Sequence, residues 1–291
     1  MAIVTEQVYT EDGASLTQLV LRDGETAVTL TPAKGGMVTS LCHRGEEYSW
    51  LRKPNFNRAE RPRCGVPVLF PSVSNPDNGV HIFNGKSYPM ETHGFADLLP
   101  WEVEQIGGDG VTLSLSPNGL TKFVYPFDFD LAITYKLEGN CLTVTTTVGN
   151  KGETEMPFCL GFHPYFAATA LENISFDIDA ATCSESPKGE QPKAPEKITL
   201  TRKAGSADSI RLMTGVKSPM VLHDKGNGHK VTVAFDANFT NAVLWQQDAE
   251  SFVCMEPWNG WANCLNEEGK HETLAPGEYW MAEWSVTLEK E

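Results

Sequence analysis

The sequence predicts an all-β protein, a large antiparallel β-sandwich, and three observations predict it. Apolar residues alternate with a period of two in one segment after another, turn signals separate these segments at short intervals, and no long amphipathic helix competes with that pattern. The alternating segments are residues 111–115, 129–137, 142–148, 174–178, 231–235 and 280–288, each with one apolar and one polar face. Between them lie turn formers such as Glu138-Gly139-Asn140, Gly149-Asn150-Lys151-Gly152 and Lys225-Gly226-Asn227-Gly228. Glycine and asparagine there accept the positive φ angles of tight hairpins. The sheet faces are expected to absorb most of the seven tryptophans, so a given tryptophan belongs to the core before it belongs to a ligand platform.

A chain of 291 residues, 41% of them hydrophobic, can bury one large core or two ordinary ones. With no internal repeat, low-complexity segment or linker, residues 1–291 are read as a single domain. Two stretches break the strand pattern. Residues 51–66, LRKPNFNRAERPRCGV, form a basic, proline-containing loop that leads into the apolar run 66–71 and the turn-rich segment 72–79. Residues 184–197, SESPKGEQPKAPEK, read as a solvated loop.

The formal charge of -15 disfavours nucleic acid or an anionic membrane as partner, because both demand a basic surface. A neutral small molecule fits better, and an anionic one would need a local arginine cluster. The seven cysteines are odd in number, scattered and never spaced C-x-x-C, which reads as reduced thiols in a cytoplasmic protein without a zinc site. The opening MAIVTEQVYTEDG has no export-signal pattern, and no apolar run is long enough to span a membrane, so a cytoplasmic location is expected.

Three stretches carry the residue types of acid/base chemistry. In Gly161-Phe162-His163-Pro164-Tyr165-Phe166 a proline biases His163 toward extended backbone, the glycine permits close approach, and aromatics wall the imidazole. In Phe252-Val253-Cys254-Met255-Glu256-Pro257-Trp258 a carboxylate sits among apolar neighbours, where desolvation raises its pKa. Thr92-His93-Gly94-Phe95-Ala96 places another imidazole beside glycine and phenylalanine. His43, His81, His223, His229 and His271 stand among charged or turn residues and are expected at the surface. Two histidines and a glutamate, without a nucleophile motif, P-loop or dinucleotide fingerprint, point to cofactor-free proton transfer.

These stretches resemble the aldose 1-epimerase (galactose mutarotase-like) family, in which H-P-Y-F, a late glutamate before Pro-Trp, and an earlier sugar-binding histidine recur. The resemblance extends to residues 31–41, TPAKGGMVTSL, and to Glu47-Tyr48-Ser49-Trp50, and so covers most of the chain in the family's order. It implies a sandwich fold, a sugar or sugar phosphate as ligand, and a reaction in which Glu256 takes the anomeric hydroxyl proton while His163 protonates the ring oxygen. It further implies that His93 orients the sugar and that Asp208 hydrogen-bonds a sugar hydroxyl. Arg63 matches an arginine of the hexose-6-phosphate members, whereas Asn75 and Asp97 stand where many relatives carry arginine. Both departures remove a positive charge from the expected pocket, so a neutral hexose is favoured and a sugar phosphate stays open. A binding protein without turnover is the alternative from another class. A glycoside hydrolase ranks last, because hydrolysis asks for two carboxylates flanking the bond and only Glu256 is a strong candidate.

Overall fold

A computed structural model describes the chain except residues 1, 12, 52–60, 62, 108–109, 203–205 and 248–250, so most of the basic loop singled out above lies outside the described residues. The alternating segments form strands, and the strands pair antiparallel throughout. The longest sheet has eight strands, in the order Ile174–Asp179, Lys217–Asp224, His229–Phe235, Tyr279–Lys290, Cys141–Asn150, Phe129–Glu138, Gly110–Leu115, Glu102–Gly107. In Phe129–Glu138 the inward positions Phe129, Leu131, Ile133, Tyr135 and Leu137 are all buried, as strict alternation requires.

The second layer runs Thr182–Ser184, Asp208–Thr214, Asn241–Gln247, Phe252–Trp258, Gly161–Phe162, Val68–Leu69, with Tyr165–Ala167 also pairing along Phe252–Trp258. The two layers meet through aromatic rings. Phe162 of the second sheet packs 5.0 Å from Trp284 of the first, and Phe70 packs 5.2 Å from Phe129. A five-stranded meander, from Ile3–Glu11 to Glu46–Glu47, is tied to the long sheet by the Tyr135 hydroxyl, which donates to Gly36 O at 2.9 Å. Helix is confined to short turns, the longest being Gly119–Val124, capped by the Asn118 side chain. Among the described residues no helix is long and apolar enough to cross a membrane.

The expectation that five histidines lie at the surface fails for two of them. His81 is fully buried, because in strand Val80–Phe83 it shares the inward face with Phe83 while Val80 and Ile82 project to the other side. His229 is also buried. It stacks on Tyr48 at 3.9 Å and its Nε2 lies 3.0 Å from Glu46 Oε2. Reading a histidine from its flanking residues misleads inside a strand, where neighbours in sequence face opposite ways. The tryptophans divide. Trp101 and Trp284 are core residues, whereas Trp245 and Trp258 line an open cleft.

Burial lowers the His81 pKa from 6.5 to about 4, so the folded protein holds this imidazole neutral. A pKa depressed on folding contributes stability that is complete above 6.5 and is lost as pH falls toward the folded value. Urea unfolding at pH 7 and pH 4.5 is therefore expected to show a smaller acid loss of stability for His81→Gln than for the parent. An equal loss in both proteins would refute this account of His81.

Candidate active site

Strand Phe252–Trp258 is buried at every position, and its alternation sorts the side chains onto two faces. Val253 and Met255 join the main core, while Phe252, Cys254 and Glu256 share the opposite face and Trp258, at the strand's end, both packs in the main core and lines the cleft described below. Antiparallel register extends that face sideways. Val243 lies opposite Glu256 and Trp245 opposite Cys254, and on the next strand Leu212 lies opposite Val243, Ile210 opposite Trp245 and Asp208 opposite Gln247. The face thus carries apolar side chains around Glu256 and polar ones at the outer end of its strands.

His163 reaches the same place from the turn between Gly161–Phe162 and Tyr165–Ala167. Its backbone N–H donates to Pro67 O at 3.0 Å, its ring stacks on Tyr165 at 4.7 Å, and Trp245 meets it edge-on at 5.7 Å. The close approach expected of Gly161 is real: a Cβ there would lie 2.6 Å from the Trp258 ring. The result is His163 Nε2 at 3.4 Å from Glu256 Oε1, with only 8% and 1% of the two residues exposed. Burial pushes the Glu256 carboxyl well above its ordinary pKa and the His163 imidazole well below its own, so both groups are held toward their neutral forms. Among the described residues, His163 Nδ1 and Glu256 Oε2 are buried with no protein hydrogen-bond partner.

His93 completes a three-residue cluster, its ring edge-on to His163 at 5.3 Å. It sits in a left-handed conformation, φ 69°, followed by Gly94 at φ 73°. Its Nδ1 lies 2.7 Å from Val73 O, which requires the proton on Nδ1 and leaves Nε2 as an acceptor. Burial, reinforced by the charge of Arg61, lowers its pKa to about 4, so that acceptor stays available at neutral pH.

A cleft of about 1010 Å³ opens over this cluster, at the upper end of the range of about 300–1,000 Å³ typical of small-molecule sites. His93, His163, Asp208, Arg63 and Asn75 all line it, so the structure brings together every site residue that the sequence singled out, with Glu256 at their base. At the rim Arg63 donates to Gln247 Oε1 at 3.2 Å, and Asp208 Oδ1 accepts from Gln247 at 3.2 Å and from the Trp245 indole at 3.3 Å. Asn75 accepts a short hydrogen bond from the Thr92 hydroxyl. Sequence reasoning missed Trp245, Gln247 and Arg61. The first two become visible only once the strands carrying them are paired with Asp208–Thr214. Arg61 also corrects one expectation, that Asp97 leaves this part of the pocket without a cation, because Arg61 Nε lies 3.1 Å from Asp97 Oδ2.

Cys254 Sγ lies within 4.8 Å of donor atoms of His163 and Glu256. Burial, followed by the Glu256 charge, holds its thiol well above the usual range.

An antiparallel sandwich with a buried imidazole–carboxyl pair beneath a polar cleft is the arrangement this chain presents for comparison with known proteins. Residues 17–287 match the aldose 1-epimerase family, and the chain belongs to that family. It is similar to the Slr1438 protein of Synechocystis sp. PCC 6803, with 30% identity, a TM-score of 0.87, and coverage of 94% of this chain and 96% of that one. A galactose mutarotase related enzyme from Lactobacillus acidophilus superposes with a TM-score of 0.80 at 25% identity, covering 94% of this chain and 97% of that one. The chromosomal LacX protein of Lactococcus lactis subsp. lactis is 27% identical over 259 residues, 80% of this chain and 85% of that protein.

The backbone around His93 allows no side chain at Gly94. A Cβ there would stand 2.2 Å from Phe70 O, in a φ that alanine avoids. Gly94→Ala is expected to cost roughly 3 kcal/mol in chemical denaturation. A loss under about 0.5 kcal/mol, the scale of ordinary surface changes, would show that this approach is not tight.

Proposed function

We propose that the protein is an aldose 1-epimerase that interconverts the α and β anomers of a hexose by opening and reclosing the ring. The observation that carries this reading is the His163–Glu256 pair, 3.4 Å apart and buried at the base of the cleft. Ring opening needs a proton removed from the anomeric hydroxyl and another delivered to the ring oxygen. Glu256 as carboxylate and His163 as imidazolium supply that base and that acid. After rotation about the C1–C2 bond of the open aldehyde, the reverse transfers close the ring on its other face.

Burial favours the uncharged pair, in which the carboxyl holds the proton. The working form has the same number of protons, with one moved to His163, and the two groups titrate as a unit. His93 orients the sugar by accepting a hydrogen bond from a sugar hydroxyl at Nε2. Asp208 and Gln247 offer hydrogen bonds to ring hydroxyls at the rim, and the Trp245 and Trp258 faces suit the apolar side of a pyranose. Arg63 and Asn75 contact the sugar's far end, and Arg63 is the group that would meet a phosphate there.

Glu256→Gln is expected to slow the approach of freshly dissolved α-glucose or α-galactose to anomeric equilibrium by about 10²–10⁴-fold, followed by polarimetry. His163→Asn should behave alike. An unchanged rate in either variant sinks the assignment, and acceleration of glucose 6-phosphate alone would shift the substrate to a sugar phosphate. Because burial lowers the His163 pKa below 6.5, kcat/KM should stay level as pH falls through 6.5 and decline only at lower pH, when the pair gains a second proton. An inflection at 6.5 would show instead an imidazole with its free-solution pKa.

A further inference from the structure

We propose that Arg61 is a positioning residue of the sugar site, which holds the His93 imidazole in place by bridging the backbone carbonyls on either side of it and is itself locked by Asp97. The inference rests on the assignment of His93 as a sugar-orienting group. Arg61 Nη2 donates to Gly94 O at 2.7 Å, Nη1 makes a short bond to Thr92 O, and Nε lies 3.1 Å from Asp97 Oδ2. One planar guanidinium thus donates to two backbone carbonyls and stands in ion-pair contact with a carboxylate of the same segment, and the residue enclosed between Thr92 and Gly94 is His93.

That turn needs outside support. His93 and Gly94 are consecutive left-handed residues, and for His93 this conformation costs about 1–2 kcal/mol. The carbonyls of Thr92 and Gly94 are the acceptors that Arg61 satisfies, while the imidazole is held from the other side by Val73 O. Only a forked donor can span both carbonyls and the carboxylate together. A lysine would bring the charge but not the fork.

Asp97 gives Arg61 its fixed orientation. Its side chain is 1% exposed and that of Arg61 19% exposed, so each is the charge partner that makes burial of the other tolerable. Burial raises the Asp97 pKa to about 7 while the Arg61 charge lowers it, and among the described residues Arg63 is a further cation facing His93, with His163 the titratable ring beside it. The aspartate in the sequence H-G-F-A-D therefore does not simply remove a charge. It brings one in from a distant segment and uses it to shape the backbone.

The test combines a readout of His93 that needs no turnover with the kinetics of anomer exchange. Arg61→Met and Arg61→Lys are made in the full chain, and His93 is followed by nitrogen-15 NMR of the imidazole across pH. In Arg61→Met the His93 titration should move to higher pH and KM should rise about tenfold to a hundredfold, the scale of a small misplacement of a binding group, with a smaller change in kcat. Arg61→Lys should restore the His93 titration in part and KM hardly at all, and millimolar guanidinium should lower the KM of Arg61→Met where sodium does not. An unmoved His93 titration together with a parental KM in Arg61→Met overturns the proposal, as does full rescue of KM by lysine. Should the parent turn over no sugar, the epimerase reading fails by itself. Sugar-binding isotherms of the same variants and the His93 titration then decide about Arg61.

Discussion

Glu256 occupies the central part of a sheet strand buried on both faces, 3.4 Å from an imidazole that is itself walled by aromatic rings. Holding a carboxyl there is costly, since an ionised one would lose nearly all of its hydration. The surrounding structure meets that cost by keeping the pair neutral and by excluding other charges from its immediate contact. Val243, Leu212 and Ile210 face the pair along the sheet, and polar groups resume only at the rim, with Asp208 and Gln247. A sugar is a suitable ligand for such a gradient, because it has an apolar ring face to stack and a polar edge to hydrogen-bond.

Precision at this site comes from backbone packing as well as from the charged contacts of Arg61. The turn carrying His163 is pinned by a strand on one side and by Trp258 pressed against Gly161 on the other. The turn carrying His93 is pinned against the Phe70 carbonyl through Gly94. Neither imidazole can shift without moving a piece of core, and Phe70 is part of the aromatic cluster that joins the layers. The core and the site are therefore one mechanical unit.

Much of this was legible in the sequence because the relevant signals are local. Period-two alternation reports a half-buried strand wherever it occurs, and the six segments that show it became strands. Motifs that confine a polar group between glycine, proline and aromatics report a fixed side chain, which is why His93, His163 and Glu256 stood out before any contact was known. Reading environment from the surrounding stretch failed at His81, which strand alternation turns inward beside Phe83, and at His229, which stacks on Tyr48.

By itself, then, the sequence determined the fold class, the turns and the three residues that cluster at the base of the cleft, since each is written in short local stretches. Only the tertiary structure decided what surrounds them. Gln247 and Trp245 join Asp208 through strand register, Arg61 reaches the turn of residues 92–94 across 31 positions, and Asp97 becomes its anchor. These contacts arise from how distant strands and loops are brought together, and a single chain read in order does not encode a distance between its parts.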